Sequence, residues 1–271
     1  DTPYSAAQRE QMKLGVHVLP RFTKDATDRN RTSPFAFTGN KFEFRMLGSS
    51  QSISDTNTVL NTALAKVLSE FADKLEGKKD PIAAARRIVR DAYKAHKRIV
   101  FNGNNYSAEW VEEAGKRGLY CLPTAADAIP CLVDEKNKKL FEESGIFSAA
   151  ELHSRSEIML ENYCKVLSIE AKTMLEMAKK QFIPAVNAYS GKICGEYSAI
   201  ASCGIAPLGI KEAAKKAVSL SDKLYLACEQ LEEQVTTLKS IKESDKSATF
   251  CKEALLPAMA ELRRVTDEAE T

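Results

Sequence analysis

The chain has 271 residues, of which 44% are hydrophobic and 28% are charged, and its formal net charge is +2. This composition indicates a folded globular protein and excludes an intrinsically disordered chain. Acidic and basic residues are interspersed, so no basic patch predicts a nucleic-acid partner. No apolar run approaches the roughly 18 residues of a membrane-spanning helix, so no membrane partner is expected.

Cysteine and histidine usage gives no sign of a zinc-type metal site. The seven cysteines include no C-x-x-C pair, and the three histidines (His17, His96 and His153) are far apart. Neither pattern has the spacing of metal ligands. Most of the cysteines lie among apolar residues at helical spacing, where cysteine behaves as a small hydrophobic side chain. Free thiols of this kind are typical of a reducing cytoplasm, which is the expected location.

The first clear element along the chain is a strand over Lys41–Met46. It is predicted by the alternation Phe42-Glu43-Phe44-Arg45. A strand has a side-chain period of two residues, so the two phenylalanines lie on one face and Glu43 and Arg45 on the other. Such a pair has two interpretations, an exposed ion pair on an edge strand or a rigid platform for a metal or an anionic substrate.

A second guanidinium precedes this strand. Arg31 follows Asn30 in an arginine-rich polar stretch. The guanidinium group is permanently charged and presents a fork of N–H donors that matches phosphate or carboxylate oxygens. Together with Arg45, it favours a site for anionic ligands.

After about residue 50 the sequence is predicted to be helical. Asp55 is the expected N-cap of a helix that ends near Leu75. Asp80 followed by Pro81 predicts the start of a second helix, which reaches about Val100.

Long helices then follow. Ser148-x-x-Glu151 has the pattern of a capping box that opens one of them. Two apolar stripes, with steps of three and four residues, predict helices packed side by side. The stripes are Leu160, Cys164, Leu167, Ala171, Met174 and Ala178, and then Leu220, Leu224, Ala227, Leu231, Val235, Leu238 and Ile241. With a last helix over 248–268, the expected fold class is mainly α, a short β element followed by a helical bundle.

A longer motif surrounds the strand. The letters NR at 30–31, PFAFTGNK at 34–41 and FEFR at 42–45 closely resemble the glutamine synthetase signature, in the variant of the large type III enzymes. Further segments resemble later parts of the same family: GSS at 48–50, NTVLNT at 57–62, HKRIVFNGN at 96–104, YSAEW at 106–110 and ELHSR at 151–155. The resemblance covers nearly the whole chain and is strongest from about residue 28 to about residue 184.

The resemblance implies a domain organisation and an activity. Residues 1–77 would be the C-terminal tail of the catalytic domain, and residues 78–271 a helical C-terminal domain. The implied reaction joins ammonia to glutamate at the expense of ATP, through γ-glutamyl phosphate, with Mg²⁺ or Mn²⁺ bound. A homo-oligomer built from rings is also implied.

The resemblance also assigns roles residue by residue. Glu43 matches a metal ligand, and Arg45 matches the arginine near the glutamate substrate. Arg31 matches the arginine that stabilises the transferring phosphoryl group, and Lys41 a basic residue near the nucleotide. One position departs from the pattern, because Ala36 stands where shorter glutamine synthetases carry another arginine.

Much of the family's active site has no counterpart in the sequence. The N-terminal β-grasp-like region, the paired metal-binding glutamates, the glycine-bearing substrate loop and the Glu-Ala-Pro flap are all absent. The chain is therefore expected to be the C-terminal piece of a larger ligase and to be inactive alone. An alternative is that residues 78–271 serve as an oligomerisation or regulatory module without activity. A stand-alone helical protein fits the motif less well.

Overall fold

The structure is a computed structural model, in which the chain forms two compact units, Asp1–Cys121 and Leu122–Thr271. The residues that it describes are 11–12, 22–23, 34–37, 41–46, 51–101 and 103–271. The predicted mainly α fold is confirmed. No helix in the described ranges is both long enough and apolar enough to cross a membrane.

The first unit begins with two small antiparallel pairs of strands. They are β1 (Gln11–Met12) with β2 (Phe22–Thr23), and β3 (Phe35–Phe37) with β4 (Phe42–Phe44). Three helices follow, namely α1 (Ile53–Leu75), α2 (Pro81–His96) and α3 (Ala108–Lys116), with a 3₁₀ turn at Lys97–Ile99. The predicted strand over 41–46 is therefore present, although its paired part is shorter.

The N-termini of α1 and α2 are capped by different residue types. The predicted cap of α1 at Asp55 is wrong, because Ser52 is the N-cap and its hydroxyl accepts a hydrogen bond from the Ser54 amide at 3.2 Å. Asp55 lies in the first turn instead, where a carboxylate interacts favourably with the helix dipole. The predicted start of α2 is confirmed, since the Asp80 carboxylate accepts from the amide of Ala83 at 2.9 Å.

The second unit is entirely helical in its regular structure. Its helices are α4 (Ala125–Ala128), α5 (Glu135–Glu143), α6 (Ala149–Met177), α7 (Ile183–Ser202), α8 (Leu208–Ser240), α9 (Ser244–Phe250) and α10 (Leu256–Glu270). A 3₁₀ turn occupies Ile129–Val133, and π-helical turns occupy Ala178–Phe182 and Cys251–Leu255. The predicted last helix is present, but it begins earlier, at Ser244, and contains a π-helical turn.

The two predicted stripes form the core of this unit. Leu224 and Leu231 of α8 are fully buried, and so is Ala171 of α6. Residues from α10 complete the same cluster, among them Leu262. The predicted capping box is also confirmed, because the Ser148 hydroxyl accepts from the Glu151 amide while the Glu151 side chain accepts from the Ser148 amide.

The boundary between the compact units lies after Cys121, whereas the sequence predicted a division near Gly77. Gly77 ends α1 in the left-handed conformation, with φ of +68°, which glycine adopts without strain. Helices α2 and α3 therefore belong to the compact unit that contains the strands. The division at residue 77 rests on the family resemblance and stays a prediction.

Candidate functional site

The hairpin of β3 and β4 fixes the positions of the predicted site residues. Its register pairs Phe35 with Phe44, Ala36 with Glu43, and Phe37 with Phe42. The Arg45 amide donates to the Pro34 carbonyl at 2.7 Å and extends the pairing by one step. Glu43 and Arg45 are thus held on a strand whose backbone is paired along its length.

One face of the hairpin is aromatic. The ring of Phe35 stacks on that of Phe42 with centroids 5.2 Å apart and meets Phe44 edge-on at 6.2 Å. These rings keep 40% or more of their surface exposed. Three contacting rings stiffen the short hairpin, because aromatic pairs stabilise beyond their area of contact.

The opposite face carries the charged groups, as the alternation predicts. Arg45 donates to Glu43 Oε2 through Nη2 at 2.9 Å and through Nε at 3.3 Å. Lys41 Nζ lies 3.8 Å from Glu43 Oε1. The Glu43 side chain keeps 39% of its surface exposed, and the Arg45 side chain 24%. One carboxylate and two cationic side chains therefore share one partly exposed surface.

One atom beside this pair indicates an incomplete environment. Arg45 Nη1 is buried and has no hydrogen-bond partner within the described part of the chain. A buried donor without an acceptor costs on the order of 1–3 kcal/mol. An anionic oxygen from a substrate or from another part of the polypeptide would satisfy this donor.

The chemistry of Glu43 suits a hard divalent cation. Carboxylate oxygens are the natural ligands of Mg²⁺ and Mn²⁺, which take about six ligands each. In the described ranges no group of three His, Cys, Asp or Glu side chains could hold an ion. A metal site that included Glu43 would need its other ligands from outside the described residues.

Arg31 lies outside the described residues, and so does its neighbour Asn30. Its predicted role at the phosphoryl group stays a prediction. The roles of Glu43, Arg45 and Lys41 also stay predictions, although the structure brings these three side chains together.

A separate cluster in the first unit, in which an arginine packs on two aromatic rings, was not predicted. The Arg117 guanidinium lies 5.5 Å from the Trp110 ring centre, and that ring stacks on Phe101 at 4.2 Å. Arg117 Nη1 also donates to the carbonyls of Arg98 and Val100, at 3.2 and 2.9 Å. These contacts hold the segment that follows α2 against the C-terminal end of α3, so Arg117 has a structural role. Only its i, i+4 spacing to a glutamate marks it in the sequence.

A shallow groove of about 870 Å³ runs along α2. Its lining combines apolar side chains such as Ile82, Val89 and Tyr93 with basic ones such as Arg86 and Lys94. No hairpin residue lines it, so it is not the predicted site.

The ELHSR segment at 151–155 lies in the first turns of α6. Glu151 caps α6, and the Glu157 carboxylate lies 3.6 Å from His153 Nε2. The Arg155 guanidinium lies 4.3 Å from the ring centre of Phe147. Each of these residues has a structural partner.

Comparison with known proteins bears on the origin of the chain. Residues 84–201 match the family model of the glutamine synthetase C-terminal domain. The chain is 37% identical, over 279 residues, to the type-3 glutamine synthetase of Dictyostelium discoideum, covering 100% of this chain and 38% of that protein. The predicted family resemblance is confirmed.

Two bacterial glutamine synthetases agree with this resemblance. That of Butyrivibrio fibrisolvens is 36% identical over 281 residues, covering 98% of this chain. That of Bacteroides fragilis (strain YCH46) is 36% identical over 193 residues, covering 69% of this chain. The chain spans 38% of the length of the first two relatives and 26% of the third.

Proposed function

We propose that the chain is the C-terminal part of an ATP-dependent glutamate–ammonia ligase and that its β3–β4 hairpin forms one wall of the active site. The observation that carries this proposal is the shared face of Glu43, Arg45 and Lys41. It occurs within the motif that resembles the glutamine synthetase signature. The similarity to named glutamine synthetases along the whole chain supports it.

The reaction passes the γ-phosphoryl group of ATP to the side-chain carboxylate of glutamate. Ammonia then attacks the γ-glutamyl phosphate and releases phosphate. Negative charge spreads over the phosphoryl oxygens during the transfer, so the site must supply cations and N–H donors there. A bound Mg²⁺ or Mn²⁺ would neutralise part of that charge.

Each charged residue of the hairpin and of the segment before it has a separate proposed role in this reaction. Glu43 would provide a carboxylate oxygen to the metal, and the hydrogen bond from Arg45 would hold that carboxylate in one orientation. The remaining Arg45 donors would bind the glutamate substrate or its phosphate, and one of them is the buried Nη1, which has no hydrogen-bond partner among the described residues. Arg31 would stabilise the phosphoryl group, and Lys41 would contact the nucleotide.

The helical unit is proposed to act in assembly, as part of a homo-oligomeric ring. Two large apolar side chains are exposed where α7 meets α8: Ile205 in the turn is 60% exposed, and Leu208, the first residue of α8, is 72% exposed. Exposed apolar groups at the end of a helical hairpin favour contact with another protein surface. The free cysteines of the chain support a reducing, cytoplasmic setting.

The direct test is Glu43→Gln in the full-length ligase that contains these residues. Glutamine keeps the size of the side chain but removes the charge that a hard metal needs. We expect ATP-dependent glutamine formation to fall at least about 100-fold, with a higher Mg²⁺ requirement. Glutamine formation is measured at several Mg²⁺ concentrations.

Glu70→Gln is the matched control, because Glu70 is an exposed carboxylate on α1. It should change activity less than about twofold. The 271-residue chain alone is expected to form no glutamine, since one carboxylate cannot complete the metal site. Near-normal activity of Glu43→Gln would refute the proposed role of Glu43.

A further inference from the structure

A small apolar cavity lies in the second unit, between α10 and the segment where α6 continues into a π-helical turn. Its volume is about 130 Å³, and its apolar wall is formed by Met174, Met177, Ala178, Phe182 and Leu262. Ala178 and Leu262 are only 1% exposed, whereas Met177 is 41% exposed. The cavity therefore has a buried floor and a side that is open to solvent.

The backbone explains why a space remains at this point. Pro184, the second residue of α7, has no N–H and cannot donate the hydrogen bond that would continue the α-helical pattern. The chain forms a π-helical turn over Ala178–Phe182, just before this proline. Such turns are rare and are frequently found at functional sites. The turn begins with Ala178, whose methyl group is too small to fill the space.

The charged residues that line the cavity carry a net negative charge. The Arg263 guanidinium donates to the Asp267 carboxylate through Nε at 2.9 Å, so these two groups neutralise each other. Glu270 lines the same cavity from the last turn of α10 and supplies the excess charge. Thr266 adds no charge, and its hydroxyl already donates to the Leu262 carbonyl at 2.8 Å.

The size and the charge of the cavity together define a class of ligand. An apolar cavity of about 150 Å³ accepts a ring the size of benzene, whereas sites for drug-sized molecules measure about 300–1,000 Å³. The flexible thioethers of Met174 and Met177 can adapt to such a ring and interact favourably with it. A cationic group on the ring could remain at the open side, where it would keep its hydration and still face a carboxylate.

We propose that this cavity is a binding site for a small arylalkylamine, which places its aromatic ring between α6 and α10 and its ammonium group beside Glu270. A neutral compound with the same ring would lose the ionic contact. An aryl carboxylate would be repelled by Glu270. The proposal concerns the second unit alone and does not depend on the role of Glu43.

Methyl NMR of the 271-residue chain with isotope-labelled methionines tests this proposal. The signals of Met174 and Met177 are assigned from Met174→Leu and Met177→Leu. Met159 is the internal control, since it lies on α6 about 22 Å before Met174. The probes are benzylamine, benzyl alcohol and benzoate, titrated separately at constant pH and ionic strength.

We expect benzylamine to shift the Met174 and Met177 signals in a saturable way and to leave that of Met159 in place. Benzylamine should bind at least about threefold more tightly than benzyl alcohol, the size of effect that an exposed ionic contact provides. Benzoate should bind more weakly than either. The absence of a saturable shift, or equal affinities for the amine and the alcohol, would overturn the proposal.

Glu270→Gln separates the charge from the cavity. Glu270 is exposed, so the fold should persist in this variant. We expect the preference for benzylamine over benzyl alcohol to disappear while the binding of benzyl alcohol stays unchanged. Glu233→Gln is the matched control, because Glu233 is an exposed carboxylate of α8 that does not line the cavity. A preference for the amine that survives in Glu270→Gln would overturn the proposed ligand class.

Discussion

Helices α1 and α8 carry the same kind of apolar stripe, but the structure treats the two stripes in opposite ways. Leu224 and Leu231 of α8 are fully buried against neighbouring helices of the second unit. Leu64 and Leu68 of α1 are each 56% exposed. The second unit therefore provides its own core. The described part of the first unit presents an exposed apolar stripe on α1 and a charged hairpin.

The largest effect on this comparison is expected from truncating one leucine in each stripe. Leu224→Ala removes a fully buried side chain and leaves a cavity, so we expect it to lower the free energy of unfolding by about 3 kcal/mol. Leu64→Ala removes an exposed side chain and should cost less than about 0.5 kcal/mol in this chain. Leucine and alanine have similar helix propensities, so the difference reports burial.

Urea unfolding measures both variants. The single tryptophan, Trp110, lies in the first unit, so its fluorescence follows that unit. Circular dichroism at 222 nm follows chiefly the long helices of the second. A similar cost for the two variants would contradict the difference between the stripes.

A smaller effect is expected from the ion pair that joins α4 to the π-helical turn before α10. Lys252 donates to Asp127 at 2.6 Å, and the Thr124 hydroxyl donates to the same carboxylate at 2.7 Å. The bond from Lys252, and then that from Thr124, hold the pKa of Asp127 below its ordinary value. The pair therefore stabilises the fold above the unfolded-state pKa, which is about 4, and this contribution is lost as the pH falls through the folded-state pKa.

Asp127→Asn should accordingly lower the urea midpoint at pH 6 and make little difference near pH 2. The midpoint is followed by circular dichroism at both values. Asp222→Asn is the control for the loss of an exposed carboxylate, since Asp222 is an exposed residue of α8. A difference between wild type and Asp127→Asn that grows on acidification would contradict the assigned sign.

Most of the local structure could be predicted from the sequence. The stripes of α6 and α8 were predicted because burial imposes a period of 3.6 residues, and Asp80-Pro81 and the Ser148 box because capping has specific donors and acceptors. The cap of α1 was misplaced, since Ser52 and Asp55 both have the residue type of an N-cap. Only the backbone conformation decides between them.

The exposure of the α1 stripe could not be predicted. A periodic pattern shows which face of a helix is apolar, but it does not show whether the partner of that face is present in the chain. The same limit applies to the site. The period of a strand places Glu43 and Arg45 on one face, as the structure has them. Their roles depend on ligands and residues that lie beyond the hairpin.

The most direct test of the central claim is Mn²⁺ binding to the full-length ligase, measured by electron paramagnetic resonance. If Glu43 is a metal ligand, Glu43→Gln should weaken the binding of Mn²⁺ at its site at least about tenfold, while Glu70→Gln binds as wild type. Equal Mn²⁺ affinity in wild type and Glu43→Gln would contradict the account, because the hairpin would then present only a surface ion pair.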